Sequence, residues 1–171
     1  MDNKHNVIPV VAIVGESDSG KTTLIEKIIP ELIRRGYRVA TIKHHGHGFD
    51  LDHEGKDSWR HKQAGARVTV LASPRQVAVV EEVVKDYDIA ELRDIYIRHV
   101  DIILTEGFKQ TSEPKIEVFR ADRKDDIISR GDANLLAVVG DKPLVVDVPC
   151  FERHDIMGVA DLIEARFLHE Y

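Results

Sequence analysis

Residues 7–22 read VIPVVAIVGESDSGKT, and this stretch decides the fold. Val7 to Val14 is a near-continuous apolar run rich in β-branched side chains, the composition of a strand buried on both faces. It leads straight into Gly15-Glu16-Ser17-Asp18-Ser19-Gly20-Lys21-Thr22, a full match to G-x-x-x-x-G-K-[ST]. Each residue type there has a physical task. Glycines let the backbone curl so that successive N–H groups converge on phosphate oxygens. A helix opening at Lys21 and Thr22 adds its positive end. Lys21 is placed to neutralise β- and γ-phosphates, and the Thr22 hydroxyl to ligate Mg²⁺. The expected nucleotide-binding set is therefore Gly15, Glu16, Ser17, Asp18, Ser19, Gly20, Lys21 and Thr22, with Thr23 completing it.

Working outward, Thr22 to Arg35 carries Leu24, Ile25, Ile28, Ile29 and Leu32 at helical spacing, and Gly36 stops it. Pro30 is expected to kink this helix or end its regular part. Tyr37 to Lys43 reads as a second strand, followed by a polar segment from His44 to Glu54 and a helix from Lys56 to Ala64. Arg67–Ala72 and Gln76–Glu81 read as two strands joined by a Ser73-Pro74-Arg75 turn. Ile89–His99 reads as a helix and Val100–Thr105 as a buried strand. Lys115–Phe119, Leu135–Val139 and Leu144–Val148 read as further strands, and Asp155–Phe167 as a closing amphipathic helix. This alternation predicts an α/β fold of the P-loop NTPase kind: a mainly parallel sheet, helices on both faces, and an added β-hairpin. No repeat or linker breaks the chain, so residues 1–171 read as a single nucleotide-binding domain with an insert at about 44–81.

Composition narrows the classes. The 171 residues are 43% apolar, enough for one globular core. One cysteine, Cys150, rules out an internal disulfide and a Cys-rich zinc site. A net charge of −6 argues against non-specific binding to nucleic acid, although a local basic site stays open. No apolar run is long enough to cross a bilayer and the N-terminus lacks a signal-peptide pattern, so the expectation is a cytoplasmic protein that meets no membrane.

A phosphate loop needs an acidic group beside its metal. Glu106, at the carboxyl end of the Val100–Thr105 strand, is the candidate, because ligands of open α/β sheets bind at that end. Glu106 and Thr22 are thus the expected metal residues, and Asp101, at the opposite end, reads as a strand-start or capping residue. Asp50 and Asp52 could touch Mg²⁺ through water or orient an attacking water. Lys43, Lys56, Arg60 and Lys62 supply positive charge for an anionic ligand. Five of the nine histidines fall between His44 and His61. Their spacing matches no zinc pattern, and a solvated loop contacting an anionic substrate competes with a transition-metal site.

Four pieces together carry a resemblance: GESDSGKTT, TIKHHGHGFDLDHEGKDSWRHKQAGA from Thr41, DIILTEGFK from Asp101 to Lys109, and PKIEVFR from Pro114 to Arg120. The sequence resembles the B protein family of molybdopterin-guanine dinucleotide biosynthesis over nearly its whole length. That resemblance implies a GTP-binding accessory protein with Mg²⁺ and weak GTPase activity. It implies, as partner, the molybdenum cofactor guanylyltransferase that attaches GMP to molybdopterin, with molybdopterin itself a further candidate ligand. It also implies a homodimer, for which the apolar Arg67–Glu81 hairpin offers an edge. One departure is the missing Asn-Lys-x-Asp guanine motif. Asp141 is placed where a carboxylate could accept from guanine N1 and N2, while Gly140-Asp141-Lys142-Pro143 also makes an ordinary turn. No cis arginine finger is evident, Arg60 and Arg120 being candidates only if a loop folds over. A small-molecule kinase with a lid at Lys56–Arg67, and a metal-delivery GTPase using the histidines, are the alternatives.

Overall fold

Every residue of β1 (Val10–Val14) is buried, and two-sided burial makes this strand the middle of a sheet. The computed structural model describes residues 7–49, 53–108, 110–122, 126–142 and 144–168. Around β1 lie β2 (Val39–Lys43), β5 (Ile102–Glu106), β6 (Lys115–Val118), β7 (Leu135–Gly140) and β8 (Cys150–Glu152), in the order β2-β5-β1-β6-β7-β8. All neighbouring pairs run parallel. The register pairs Ile13 with Glu106, and Glu106 with Lys43, so the carboxyl ends of these strands meet at one edge of the sheet.

One face of the sheet presents Val11, Ile13, Ile102, Leu104, Ile116 and Val118 to α1 (Lys21–Arg34) and α4 (Ile156–Phe167). Leu24, Ile28, Leu32 and Ile163 fill the space between. On the other face Val10 and Ile103 meet Ile89, the first residue of α3 (Ile89–Tyr96). Beside it, Phe119, Ile127, Leu135 and Val138 form a separate apolar cluster. Helices therefore cover both faces of a parallel sheet, as the alternation predicted.

Three expectations need correction. Pro30 does not end α1: the helix continues through it to Arg34. Pro30 sits on the solvent side, so its missing N–H goes unfilled there, while Leu24, Ile25, Ile28 and Leu32 stay buried on the other side. Leu144–Val148 is not a strand. Leu144, Val146 and Val148 pack on the second cluster while Val145 is 94% exposed, so an extended segment buries alternate side chains without joining the ladder. The sixth sheet strand is instead Cys150–Glu152. The third helix also stops at Tyr96, short of His99, which adopts a left-handed φ of 59°.

Charged pairs pin the elements together. Asp101 accepts the backbone N–H of Arg38 at 2.7 Å and pairs with its guanidinium, tying the start of β2 to the start of β5. Arg38 holds the Asp101 carboxyl below its ordinary range. On β6, the buried Glu117 accepts the N–H groups of Ile128 and Ser129 at 2.7 and 2.8 Å. The buried Lys115 donates to Asp132 and to the Thr111 carbonyl.

Residues up to His44 together with those from Ile89 onward form one compact unit, and His45–Asp88 forms a second. The second unit holds the segment read as an insert and extends to Asp88. It consists of α2 (Asp57–Gln63) and an antiparallel hairpin, β3 (Val68–Ala72) with β4 (Val77–Glu81). The Ser73 hydroxyl accepts from the Gln76 N–H at 3.1 Å and closes the turn. The hairpin leaves Val68, Val70, Leu71, Val77 and Val79 exposed.

Candidate functional site

The phosphate loop leaves β1 through Gly15, whose φ is +137°. A Cβ there would collide with the Val118 carbonyl oxygen, so β6 and the backbone conformation both demand glycine. Gly20, at φ +103°, is the N-cap of α1 and offers no side-chain cap. The first N–H groups of α1 are therefore open to an anion. Lys21 folds back over the loop, Nζ donating to the Glu16 carbonyl at 2.6 Å and the Gly15 carbonyl at 3.2 Å. Ser17, Asp18 and Thr23 are exposed, and Asp18 takes a left-handed φ of 57°. Ser19 is buried with its hydroxyl against Gly15, and its N–H donates to the Glu16 carbonyl.

Thr22 and Glu106 come together from α1 and β5. The Thr22 hydroxyl donates to the two Glu106 carboxylate oxygens at 2.9 and 3.0 Å. Lys43, the register partner of Glu106 on β2, brings its ammonium to 3.5 Å. Behind the carboxylate, Gly107 at φ +100° packs against the His44 carbonyl, and the His44 N–H donates to the Glu106 carbonyl. A hydroxyl and a carboxylate at this separation are hard oxygen donors of the kind Mg²⁺ takes, and they lie at the N-terminal end of α1, the end of a helix that favours anions. Asp50 and Asp52 lie outside the described residues. Among the described residues no three His, Cys, Asp or Glu side chains are grouped to hold a metal ion.

On the other side of the loop, a cavity of about 460 Å³ opens at the ends of β7 and β8. Asp141, directly after β7, lines it, and its Oδ1 accepts the Ala121 N–H at 3.0 Å. Phe151 and Arg153 line it from β8 and the residue that follows it. Arg153 reaches back to the loop and donates to the Ser19 carbonyl at 3.0 Å. Arg120 makes a weaker contact with the Asp18 carbonyl at 3.4 Å, its guanidinium being held by Asp122. Sequence reasoning missed Arg153 because it placed the last strand at Leu144–Val148. The signal available was the short run Cys150–Glu152, whose end puts the next residue beside the loop.

The family profile described as molybdopterin guanine dinucleotide synthesis protein B matches residues 10–141, which contain the loop, Glu106 and Asp141. The chain belongs to this family. As a member of the synthesis protein B family it is 41% identical over 168 residues to the molybdopterin-guanine dinucleotide biosynthesis adapter protein of Haemophilus influenzae, covering 98% of this chain and 93% of that protein. The Escherichia coli adapter protein of the same description is 37% identical, with 92% of each covered. The crystal structure of Bacillus subtilis MobB matches with a TM-score of 0.76 at 29% identity, covering 95% of this chain and 99% of that one. A further crystal structure of molybdopterin-guanine biosynthesis protein B matches with a TM-score of 0.70 at 31% identity, covering 91% and 97%. In this synthesis protein B family member, β8 and Arg153 lie beyond the residues matched by the profile.

Proposed function

We propose that this chain is a GTP-binding adapter in molybdopterin guanine dinucleotide biosynthesis, with slow Mg²⁺-dependent GTPase activity. In this reading it serves the guanylyltransferase of the molybdenum cofactor as a cytoplasmic homodimer. The observation that carries the nucleotide part is the Thr22–Glu106 pair at 2.9 and 3.0 Å beside Lys21 and the open end of α1. The pathway part is supported by relatives matched along almost their whole length and described as adapter proteins of that pathway.

The residues divide the work by position. Backbone N–H groups of 15–22 hold the phosphates, and Lys21 trades its two carbonyl contacts for phosphate oxygens. Thr22 and Glu106 would hold Mg²⁺, which when bound neutralises charge developing on the β- and γ-phosphates. Asp50 and Asp52 remain the sequence's candidates for orienting the attacking water. Asp141, at the cavity wall, reads guanine, whose N1–H and exocyclic amine form a donor pair for a carboxylate. Adenine offers an acceptor at N1 and is disfavoured there. Hydrolysis is slow because Arg120 and Arg153 rest on the Asp18 and Ser19 carbonyls, away from Glu106 and Thr22 at the metal end.

Calorimetric titration of GTP and ATP with Mg²⁺, against the unaltered chain and Lys21→Ala, tests this. Preference for GTP, lost in Lys21→Ala, is the expected result. Equal binding, or preference for ATP, overturns the guanine assignment and brings forward a small-molecule kinase.

A further inference from the structure

Among the described residues Arg153 makes no ion pair, whereas Arg35, Arg38, Arg120 and Arg130 are each matched to a carboxylate. Its one hydrogen bond is to the Ser19 carbonyl, at 3.0 Å. The guanidinium lies so close to Gly20 that any Cβ at that position would collide with Nη2. The same side chain forms part of the wall of the 460 Å³ cavity with Gly140, Asp141 and Phe151. A partly buried guanidinium with no ion-pair partner among the described residues, set between the phosphate loop and this cavity, is suited to an anionic ligand with a flat group attached.

The order of the sheet says which part of the ligand reaches it. Thr22 and Glu106 mark the metal and terminal-phosphate end, on the β5 side of β1. β6, β7 and β8 lie on the opposite side of β1. A nucleotide with its terminal phosphates at Lys21 and Thr22 therefore extends away from β5 and across β1, and its base arrives at the cavity. Arg153 stands where the phosphates end and the base begins. Guanidinium has five N–H donors, of which Ser19 engages one, and its flat face stacks on π systems.

The geometry points to Arg153 as a specificity-determining and positioning residue for the nucleotide, stacking on the purine base while its charge serves the innermost phosphate. This rests on the reading that the loop binds nucleotide. It differs from a role in propping the loop, which would affect any polyphosphate equally whether or not a base is attached.

Arg153→Lys and Arg153→Ala separate these roles, with calorimetric titration of Mg²⁺ complexes of GTP, GDP and inorganic tripolyphosphate. Arg153→Lys keeps the charge and loses the plane. It is expected to bind tripolyphosphate as the unaltered chain does and to bind GTP and GDP about tenfold more weakly. Arg153→Ala is expected to weaken both ligand types, the nucleotides more. Thermal melts of each variant confirm the fold. GTP affinity unchanged in Arg153→Lys, or GTP and tripolyphosphate falling by equal factors in both variants, overturns the assignment. If the unaltered chain binds tripolyphosphate and GTP and Lys21→Ala loses both, the nucleotide reading stands whatever Arg153 does. If the unaltered chain binds neither, both readings fall together.

Discussion

At the scale of single residues, Gly15 is the position in the loop with the least freedom. Gly15 combines φ +137° with the Val118 carbonyl where a Cβ would go. Gly15→Ala is expected to cost about 2 kcal/mol or more of stability, because backbone strain and a backbone clash act together. Urea denaturation measures it, and a loss below about 0.5 kcal/mol would show that the loop relaxes freely. Glu106→Gln keeps the shape facing Thr22 but removes the charge that a divalent cation needs. The Mg²⁺ concentration giving half-maximal GTP binding should rise at least about tenfold, with little change in melting temperature. Unchanged Mg²⁺ dependence would move the metal-side acid elsewhere. The loop was legible in the sequence because its chemistry is local: glycines, lysine and threonine at fixed spacing dictate backbone shape directly. Glu106 was legible because a buried strand ends there. The place of Arg153 beside the loop was not, because it depends on β8 lying beside β7, a relation between residues far apart in the chain.

At the scale of elements, α1 shows how packing overrides a local breaker. Pro30 is exposed and its ring leaves one rung of the helix ladder unmade, yet the helix persists because its other face is buried. Proline in a helix interior costs about 3 kcal/mol relative to alanine, offset by about 1 kcal/mol from a stiffer unfolded chain. Pro30→Ala should therefore stabilise the protein by roughly 1–2 kcal/mol in chemical denaturation. A destabilised variant would mean that the proline makes a contact the helix needs. The C-terminal end of α1 adds a charge cluster: Arg35 pairs with Glu31, Asp161 and Glu164, and the Tyr37 hydroxyl donates to Glu164 at 2.7 Å. Arg34 first and Arg35 second hold the Glu31 carboxyl down to about 2, from an ordinary 4.5. A carboxyl depressed in the folded state contributes stability that is present above the unfolded value and lost as pH falls toward 2. Glu31→Gln should be less stable than the unaltered chain at pH 7 and lose less stability between pH 5 and pH 2.5. Parallel pH profiles for the two would remove Glu31 from the acid limb. Sequence periodicity found α1 and α4 because each has one face to bury, and the hairpin strands were legible from two β-branched runs joined by a turn. It misread Leu144–Val148 because alternate burial looks the same whether or not a segment joins the ladder, and hydrogen bonding is not written in hydropathy.

At the scale of the whole molecule, the second compact unit raises a question that its own residues answer in part. A two-stranded hairpin is marginal by itself, and this one leaves Val70 and Val79, directly opposed in register, 59% and 45% exposed. Val68 and Val77 extend the same apolar face, and such surfaces on soluble proteins mark contacts with another chain. A second copy presents the same surface, so a two-fold pairing of hairpins satisfies both with one interface. The unaltered chain is then expected to scatter light at twice its 19.3 kDa mass at micromolar concentration. Placing lysine at both Val70 and Val79 puts unpaired charge on the proposed contact and should return the mass to that of one chain. Nucleotide affinity should survive, because the loop, Glu106 and Arg153 belong to the other unit. A dimer that persists in the double variant places the interface outside the hairpin. A monomeric unaltered chain leaves the apolar hairpin to a different partner, with the guanylyltransferase the first to test by co-sedimentation.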